Sequence, residues 1–438
     1  MALSSSLPVA RMGNCLDLRT KSQKLWDEIM VDGSAGGCCC FCKVPKPRLE
    51  FVMEMLESGG SADWVGRGGD NTIHRAVRLR HMDLLKMLVG KASNISKVSI
   101  PFQSSPLHYA IEQNLEEFYV YLAKMQANVS VIAQGETVLT MCVMEPQYYE
   151  ALRTVVQIVG RNRDMLRGTN GDGLSVVHVA IRERRFKMLD WLTKGQKVPP
   201  DITDTEGRPA LFYAVELDCA KSCEILLRNG ANLAARGPRR MSSLIQGAIL
   251  RHTNPVKALL WDIKKSRSLA RLNDYDKDGN TAVHYAATSS RGGVLKILLD
   301  AGCNPNILNR KGVFPVHIVA TQGDQNLMRI LISTQKIKCQ LDVKDSLGNT
   351  PLHRALQHGH ERMSLQLLEG GADPVGQENR DGWSALMAAK REFWNGKIDD
   401  VTIRRMHQFE TVRDLNVKID RAVKKLEDKK QHRSLRID

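Results

Sequence analysis

Six of the twelve histidines, His74, His108, His178, His284, His317 and His353, are by type the residues best suited to hold a metal or move a proton. Each follows an apolar residue in a short shared motif, and the copies recur at roughly 33-residue spacing. Identical placement in successive copies predicts one structural hydrogen bond made many times. Metal ligation would need neighbouring imidazoles on a single centre with a matching Cys or carboxylate register, and the sequence supplies none.

Other chemical motifs fail on a specific residue. Asp274-Tyr275-Asp276-Lys277-Asp278-Gly279 opens like an EF-hand calcium loop, but Tyr285 stands where a bidentate Glu is required. Val89-Gly90-Lys91-Ala92-Ser93 hints at a phosphate loop, yet Leu85 replaces its upstream glycine. No Gly-x-Ser-x-Gly elbow, His-Glu-x-x-His helix or kinase signature is present. The sequence therefore assigns no catalytic residue, no metal and no cofactor, and points away from an enzyme. Cys38, Cys39, Cys40 and Cys42 follow a glycine-rich stretch and precede Lys43, Lys46 and Arg48. Zinc would need a second ligand pair. S-acylation, with peripheral membrane attachment, is one reading of the cluster, and a loop of reduced thiols is the other. Met12-Gly13-Asn14-Cys15 resembles a myristoylation start only if translation begins at Met12, and Asp17 then occupies the position that favours Ser or Thr.

The bulk numbers narrow the class. Hydrophobic residues make up 42% of the chain but aromatics only 5%, which suits thin helical layers better than a large sheet enzyme. No apolar run is long enough to span a bilayer, and Met1 to Ala10 lacks a charged n-region, so a cytoplasmic or nuclear protein is expected. Ten scattered cysteines fit that setting better than a disulfide framework does. Asn94-Ile95-Ser96 and Asn128-Val129-Ser130 match a glycosylation pattern that has no meaning there. A net charge of +15 favours acidic partners.

The elements that carry these residues repeat. Gly279-Asn280-Thr281-Ala282-Val283-His284-Tyr285-Ala286 is followed by Leu298-Leu299-Asp300-Ala301-Gly302. Gly348-Asn349-Thr350-Pro351-Leu352-His353-Arg354-Ala355 is likewise followed by Leu367-Leu368-Glu369-Gly370-Gly371-Ala372. Decayed copies begin near Asn71, Ser105, Gly135, Gly173, Gly207, Ser242, Gly312 and Gly382, giving about ten units. In each, a turn glycine supplies a left-handed residue and a following Thr or Ser caps the first helix. Pro106 and Pro351 fit the first helical position. Small alanines admit close helix approach, and a Leu-Leu pair anchors a second helix ended by Gly230, Gly302 or Gly371.

These residues resemble the ankyrin-repeat family, over roughly residues 49–395. The resemblance implies an all-α fold: an ankyrin-repeat solenoid of stacked helix-turn-helix units with projecting β-hairpin loops. The expected organisation is an N-terminal segment 1–48, an array 49–397 and a basic tail 398–438. Leu49 to Gly59 reads as an outer helix of an atypical cap whose partner is Ser22 to Val31. From Asp399 to Lys430 an amphipathic pattern (Phe409, Val412, Ile419, Val423, Leu426) fits a helix capping the array, a short coiled coil or a basic membrane-facing helix.

A stacked array exposes its hairpin tips as a stripe. That stripe contains Arg239, Arg240, Lys277, Arg310, Lys311, Arg380 and Trp383, interrupted by Glu206 and Asp278. Arg and Trp are typical of binding hot spots. The expected function is a monomeric, non-catalytic scaffold or adaptor that binds an acidic or phosphorylated protein segment on the hairpin tips and the inner-helix surface. The alternatives are a membrane-tethered regulator using the cysteine cluster and a nucleic-acid-associated factor. No recognised nucleic-acid module or stacking set supports the latter.

Overall fold

The computed structural model describes residues 21–25, 27, 49–65, 71–100, 103–160, 163–194, 198–289 and 292–409. Residues 410–438, Met12 and the Cys38–Cys42 cluster lie outside that set, as do the expectations placed on them. The chain divides into two compact units, Met1–Ala210 and Leu211–Asp438. Both are built from antiparallel helix pairs, an inner helix followed by an outer one.

In the first unit α1 (Leu49–Glu57) pairs with helical residues 21–25. The Ser61 amide donates to Ser22 Oγ at 3.0 Å and Lys21 Nζ donates to Ser58 O at 3.2 Å. Four pairs follow: α2 (Thr72–Arg78) with α3 (Met82–Lys91), α4 (Pro106–Glu112) with α5 (Glu116–Lys124), α6 (Val138–Met144) with α7 (Tyr149–Val159), and α8 (Val176–Arg182) with α9 (Phe186–Thr193).

The second unit opens with α10 (Ala210–Glu216) and α11 (Ala220–Arg228), α12 (Ser243–Leu250) and α13 (Thr253–Lys265), and α14 (Ala282–Ala287) and α15 (Gly293–Ala301). It ends with α16 (Pro315–Gln322) and α17 (Gln325–Ser333), α18 (Pro351–Gln357) and α19 (Glu361–Glu369), and α20 (Ala385–Trp394) before helical residues 400–409. Inner packs on inner, as α16 on α18 and α18 on α20, and outer on outer, as α11 on α13 and α17 on α19.

Small residues set this spacing. Ala76, Ala110, Ala180, Ala214, Ala286, Ala355 and Ala389 hold the same inner-helix register and are completely buried. Gly247 takes the place in α12, where a Cβ would stand 2.6 Å from Val256 Cγ2. The outer helices close the core with Leu84, Leu85, Leu295, Leu298 and Leu367.

The inner helices start where the sequence predicts. Pro106, Pro315 and Pro351 occupy first-turn positions, and Ser105, Thr137, Thr281 and Thr350 cap. Gly302 ends α15 in the left-handed region at φ 100°. Two other helix ends differ slightly from expectation. The caps proper are Asn229 and Gly370, with left-handed Gly230 and Gly371 one residue beyond. That is where a Schellman-type end places its glycine.

The histidine register performs the repeated bond. His353 Nδ1 accepts from the Thr350 amide at 3.2 Å and hydroxyl at 2.8 Å, while Nε2 donates to Trp383 O at 2.9 Å. His178, His284 and His317 likewise reach Arg208 O, Val313 O and Asn349 O, at 3.0, 3.2 and 2.8 Å. His74 meets Ser104 Oγ at 3.1 Å. These imidazoles thus tie their own helices to the next repeat, and His284 and His353 cap as well. Thr140, in the same register, keeps the reciprocal cap with Thr137 through its hydroxyl.

Candidate interaction surface

The hairpin tips of the second unit are shaped by a recurring Asx turn. Asp276 Oδ1 accepts the amides of Asp278 and Asn280, both at 2.9 Å. Asn309, Asp345 and Asn379 do the same for the amides two and four residues on. The third residue after each is a glycine with φ between 70° and 79°. Each hairpin among the described residues closes with at most one antiparallel bridge, such as Tyr275 to Thr281, so the projecting loops are tight turns and not β-ribbons.

Successive tips are stitched together by backbone bonds. The Lys277 amide donates to Arg239 O at 3.2 Å and the Arg310 amide to Asp278 O at 3.0 Å. Ser346 donates to Gly312 O at 2.8 Å and Arg380 to Leu347 O at 3.2 Å. This contact requires the glycines: a Cβ on Gly279 or Gly348 would lie 2.8 Å from the amide nitrogen of Arg310 or Arg380. Lys277, Arg310, Ser346 and Arg380 therefore hold equivalent places, three of them cationic.

Five of the seven sequence-predicted residues, Lys277, Arg310, Lys311, Arg380 and Trp383, fall on these Asx turns, and Arg239 and Arg240 on the preceding tip. Lys277, Arg310, Lys311 and Arg380 are exposed or half-exposed and make no side-chain ion pair among the described residues. Arg239 and Arg240 lie on a short 3-10 turn, Pro238–Arg240, both with positive φ. Arg239 is the exception to a free stripe, since its guanidinium pairs with Asp278 at 3.0 Å. Glu206, in the first unit, pairs with Arg208 at 3.3 Å. Trp383 is 36% exposed and carries the Arg391 guanidinium 5.3 Å from its ring centroid.

Sequence reasoning missed the apolar members of the surface. Tyr275, Leu308, Leu347 and Met387 are all about half exposed or more. Tyr275 and Leu308 immediately precede the Asx residue, and Leu347 is at the tip, where turns are ordinarily polar. An apolar residue inside a turn motif was the available signal.

The acids of the calcium-like loop are occupied by the protein itself. Asp274 pairs with Arg236 at 3.0 Å, and Asp276 accepts the Tyr285 hydroxyl at 2.6 Å besides its two amides. Burial pushes the Asp276 carboxyl up, but the donors Tyr285, Asn280 and Asp278 hold it below the usual carboxylate range. In α14 His284 is pushed down to about 4 by burial, against the opposing pull of the Val313 hydrogen bond and of Asp276. In both groups the displacement follows from burial and from hydrogen bonds within the fold.

The repeat geometry has its counterpart among known proteins. The family described as ankyrin repeats, in three copies, matches residues 289–377. These residues are ankyrin repeats. The chain is 30% identical over 210 residues to human transient receptor potential cation channel subfamily A member 1, covering 45% of this chain and 18% of that one. It is 21% identical over 291 residues to the E3 ubiquitin-protein ligase KEG of Arabidopsis thaliana, covering 62% of this chain and again 18% of the relative. A third relative is the nuclear factor NF-kappa-B p105 subunit of Gallus gallus, 29% identical over 109 residues, 25% of this chain and 11% of that one. The chain thus spans less than a fifth of the length of these three relatives. Among solved structures, an ankyrin repeat domain from Acinetobacter baumannii AYE aligns with TM-score 0.40 and 23% identity, covering 45% of this chain and 97% of that one. Ankyrin repeats are protein–protein interaction modules, and this one is all-α. No helix among the described residues is long and apolar enough to cross a membrane.

Proposed function

We propose that this ankyrin-repeat protein is a non-catalytic scaffold or adaptor whose second unit captures an acidic or phosphorylated protein segment on its hairpin tips. One observation carries the reading: the tips are bonded to one another through Lys277, Arg310, Ser346 and Arg380. A surface already fixed by backbone hydrogen bonds loses little freedom when a ligand lands on it. Arg240, Lys277, Arg310, Lys311 and Arg380 supply the charge, while Tyr275, Leu308, Leu347 and Trp383 supply apolar contact beside it. Arg239 contributes through its pair with Asp278, as a neutral part of the field. The protein acts as a monomer in this reading, in the cytoplasm or nucleus.

The test is cross-linked affinity purification followed by peptide mass identification, comparing the parent chain with a variant carrying Arg239→Gln, Lys277→Gln, Arg310→Gln and Lys311→Gln. The variant should lose the principal partners and keep its thermal transition. An unchanged partner set would remove the proposal.

A further inference from the structure

The outer helices of the second unit carry cations that the hairpin surface does not use. Arg329 on α17, Arg362 on α19 and Arg405 in helical residues 400–409 line one groove of about 700 Å³. All three side chains are exposed, and none makes a hydrogen bond or ion pair among the described residues. Nearby arginines behave differently: Arg354, Arg391 and Arg404 each close on a carboxylate of Asp345, Glu392 or Asp400. Glu369 is the one acid lining the groove, and half-buried Ile330 and Leu365 form its apolar floor. An adjoining groove of about 500 Å³ shares Ile330 and Ser333 and adds Lys296 and Lys336 against Asp300. Along the joined track cations outnumber carboxylates five to two.

We propose that this track on the outer helices is a second docking surface, which takes an extended acidic peptide segment with its carboxylates on Arg329, Arg362 and Arg405 and an aliphatic side chain on the Ile330–Leu365 floor. Guanidinium forks match carboxylates two bonds at a time, so unpaired arginines favour this class of partner over a diffuse counterion. Packed helices stand about 8–10 Å apart, which is about three residues of extended chain per helix. A segment of about seven residues therefore reaches all three arginines. A free phosphate would leave the apolar floor uncovered. The surface is separate from the hairpin tips, so it stands or falls independently of them.

The full chain is titrated with a fluorescein-labelled Glu-Glu-Leu-Glu-Glu-Leu-Glu-Glu peptide, read by anisotropy at low and near-physiological ionic strength. The triple variant Arg329→Gln, Arg362→Gln, Arg405→Gln should bind it at least about tenfold more weakly. The corresponding Arg→Lys triple, which keeps charge and loses the fork, should fall in between, and it decides the matter if the glutamine triple does not melt like the parent. A Lys91→Gln, Lys124→Gln, Lys187→Gln variant, which removes the same charge from exposed positions of the first unit, should bind like the parent. Equal binding by the parent and the glutamine triple would overturn the proposal, as would an equal loss in the first-unit variant. It is also overturned if the peptide never binds while sedimentation with phosphatidylserine vesicles is lost in the glutamine triple, which would give the track to a membrane.

Discussion

His284 Nε2 donates to the carbonyl oxygen of Val313 in the next repeat at 3.2 Å, while its Nδ1 accepts from the Thr281 amide at 3.1 Å. One ring therefore does two separable jobs, capping α14 and joining two repeats. Thr140 does only the first, through its reciprocal cap with Thr137. His284→Thr should keep the cap and lose the joint, costing about 1–2 kcal/mol. His284→Ala loses both and leaves the Val313 carbonyl and the Thr281 amide short of partners, for about 2–4 kcal/mol. Urea unfolding of the two variants checks the order. Equal losses would mean that the cap contributes nothing beyond the inter-repeat bond.

The same histidines predict acid sensitivity with a defined sign. Burial pushes His108, His178 and His284 down to about 4 from an ordinary value of 6.5. His317 and His353 are displaced in the same direction, again by burial first. Below the ordinary histidine value the unfolded chain holds these protons and the native chain does not. Stability is then complete above about pH 6.5 and falls as pH drops toward 4, by up to about 4 kcal/mol per pH unit for the three most strongly displaced groups together. Denaturant midpoints should be flat from pH 7 to 8 and fall steeply from pH 6 to 5. A flat acid limb rejects the ladder as described.

Much of this ladder was legible in the sequence, because a repeat prints the same chemistry many times. His353, Thr350 and Pro351 recur at fixed offsets, and an offset is enough to place a cap and a first helical turn. Asp276, Asn309, Asp345 and Asn379 recur just as regularly, but as single letters they read as solvated polar residues. Their roles appear only when the amides two and four residues on are seen bonded to them. Phe314 shows the limit from the other side. It stands where Thr caps elsewhere, and it stacks on His317 at 5.8 Å instead, leaving His317 Nδ1 without a hydrogen-bond partner among the described residues. Arg329, Arg362 and Arg405 were invisible as a group, since residues a whole repeat apart become neighbours only through stacking.

Two glycines with similar backbone angles should respond unequally to alanine. Gly230 has φ 88° and open space where a Cβ would stand, whereas Gly348 has φ 78° and the Arg380 amide nitrogen 2.8 Å from that point. Gly230→Ala carries only the left-handed backbone penalty, about 1 kcal/mol. Gly348→Ala adds the loss of the Arg380-to-Leu347 stitch and should cost about 2–3 kcal/mol. Thermal melts of the pair read the difference. If both fall equally, the tips are not bonded as described.

Asp278 separates affinity from stability on the hairpin surface. Its pair with Arg239 at 3.0 Å is formed by side chains that are 64% and 44% exposed, so screening leaves it worth well under about 1 kcal/mol to the fold. Asp278→Asn should therefore leave the melting temperature within experimental scatter. It also removes one negative charge from a row that contains Lys277, Arg310 and Lys311, and it releases the Arg239 guanidinium toward solvent. An acidic or phosphorylated partner captured by these tips should then associate faster, with a steeper dependence on salt, because rim charges act chiefly on the encounter. Surface plasmon resonance against the purified partner, at two ionic strengths, separates the association and dissociation rates. A slower association, or a gain that salt does not diminish, would place the partner's charge elsewhere than on this row.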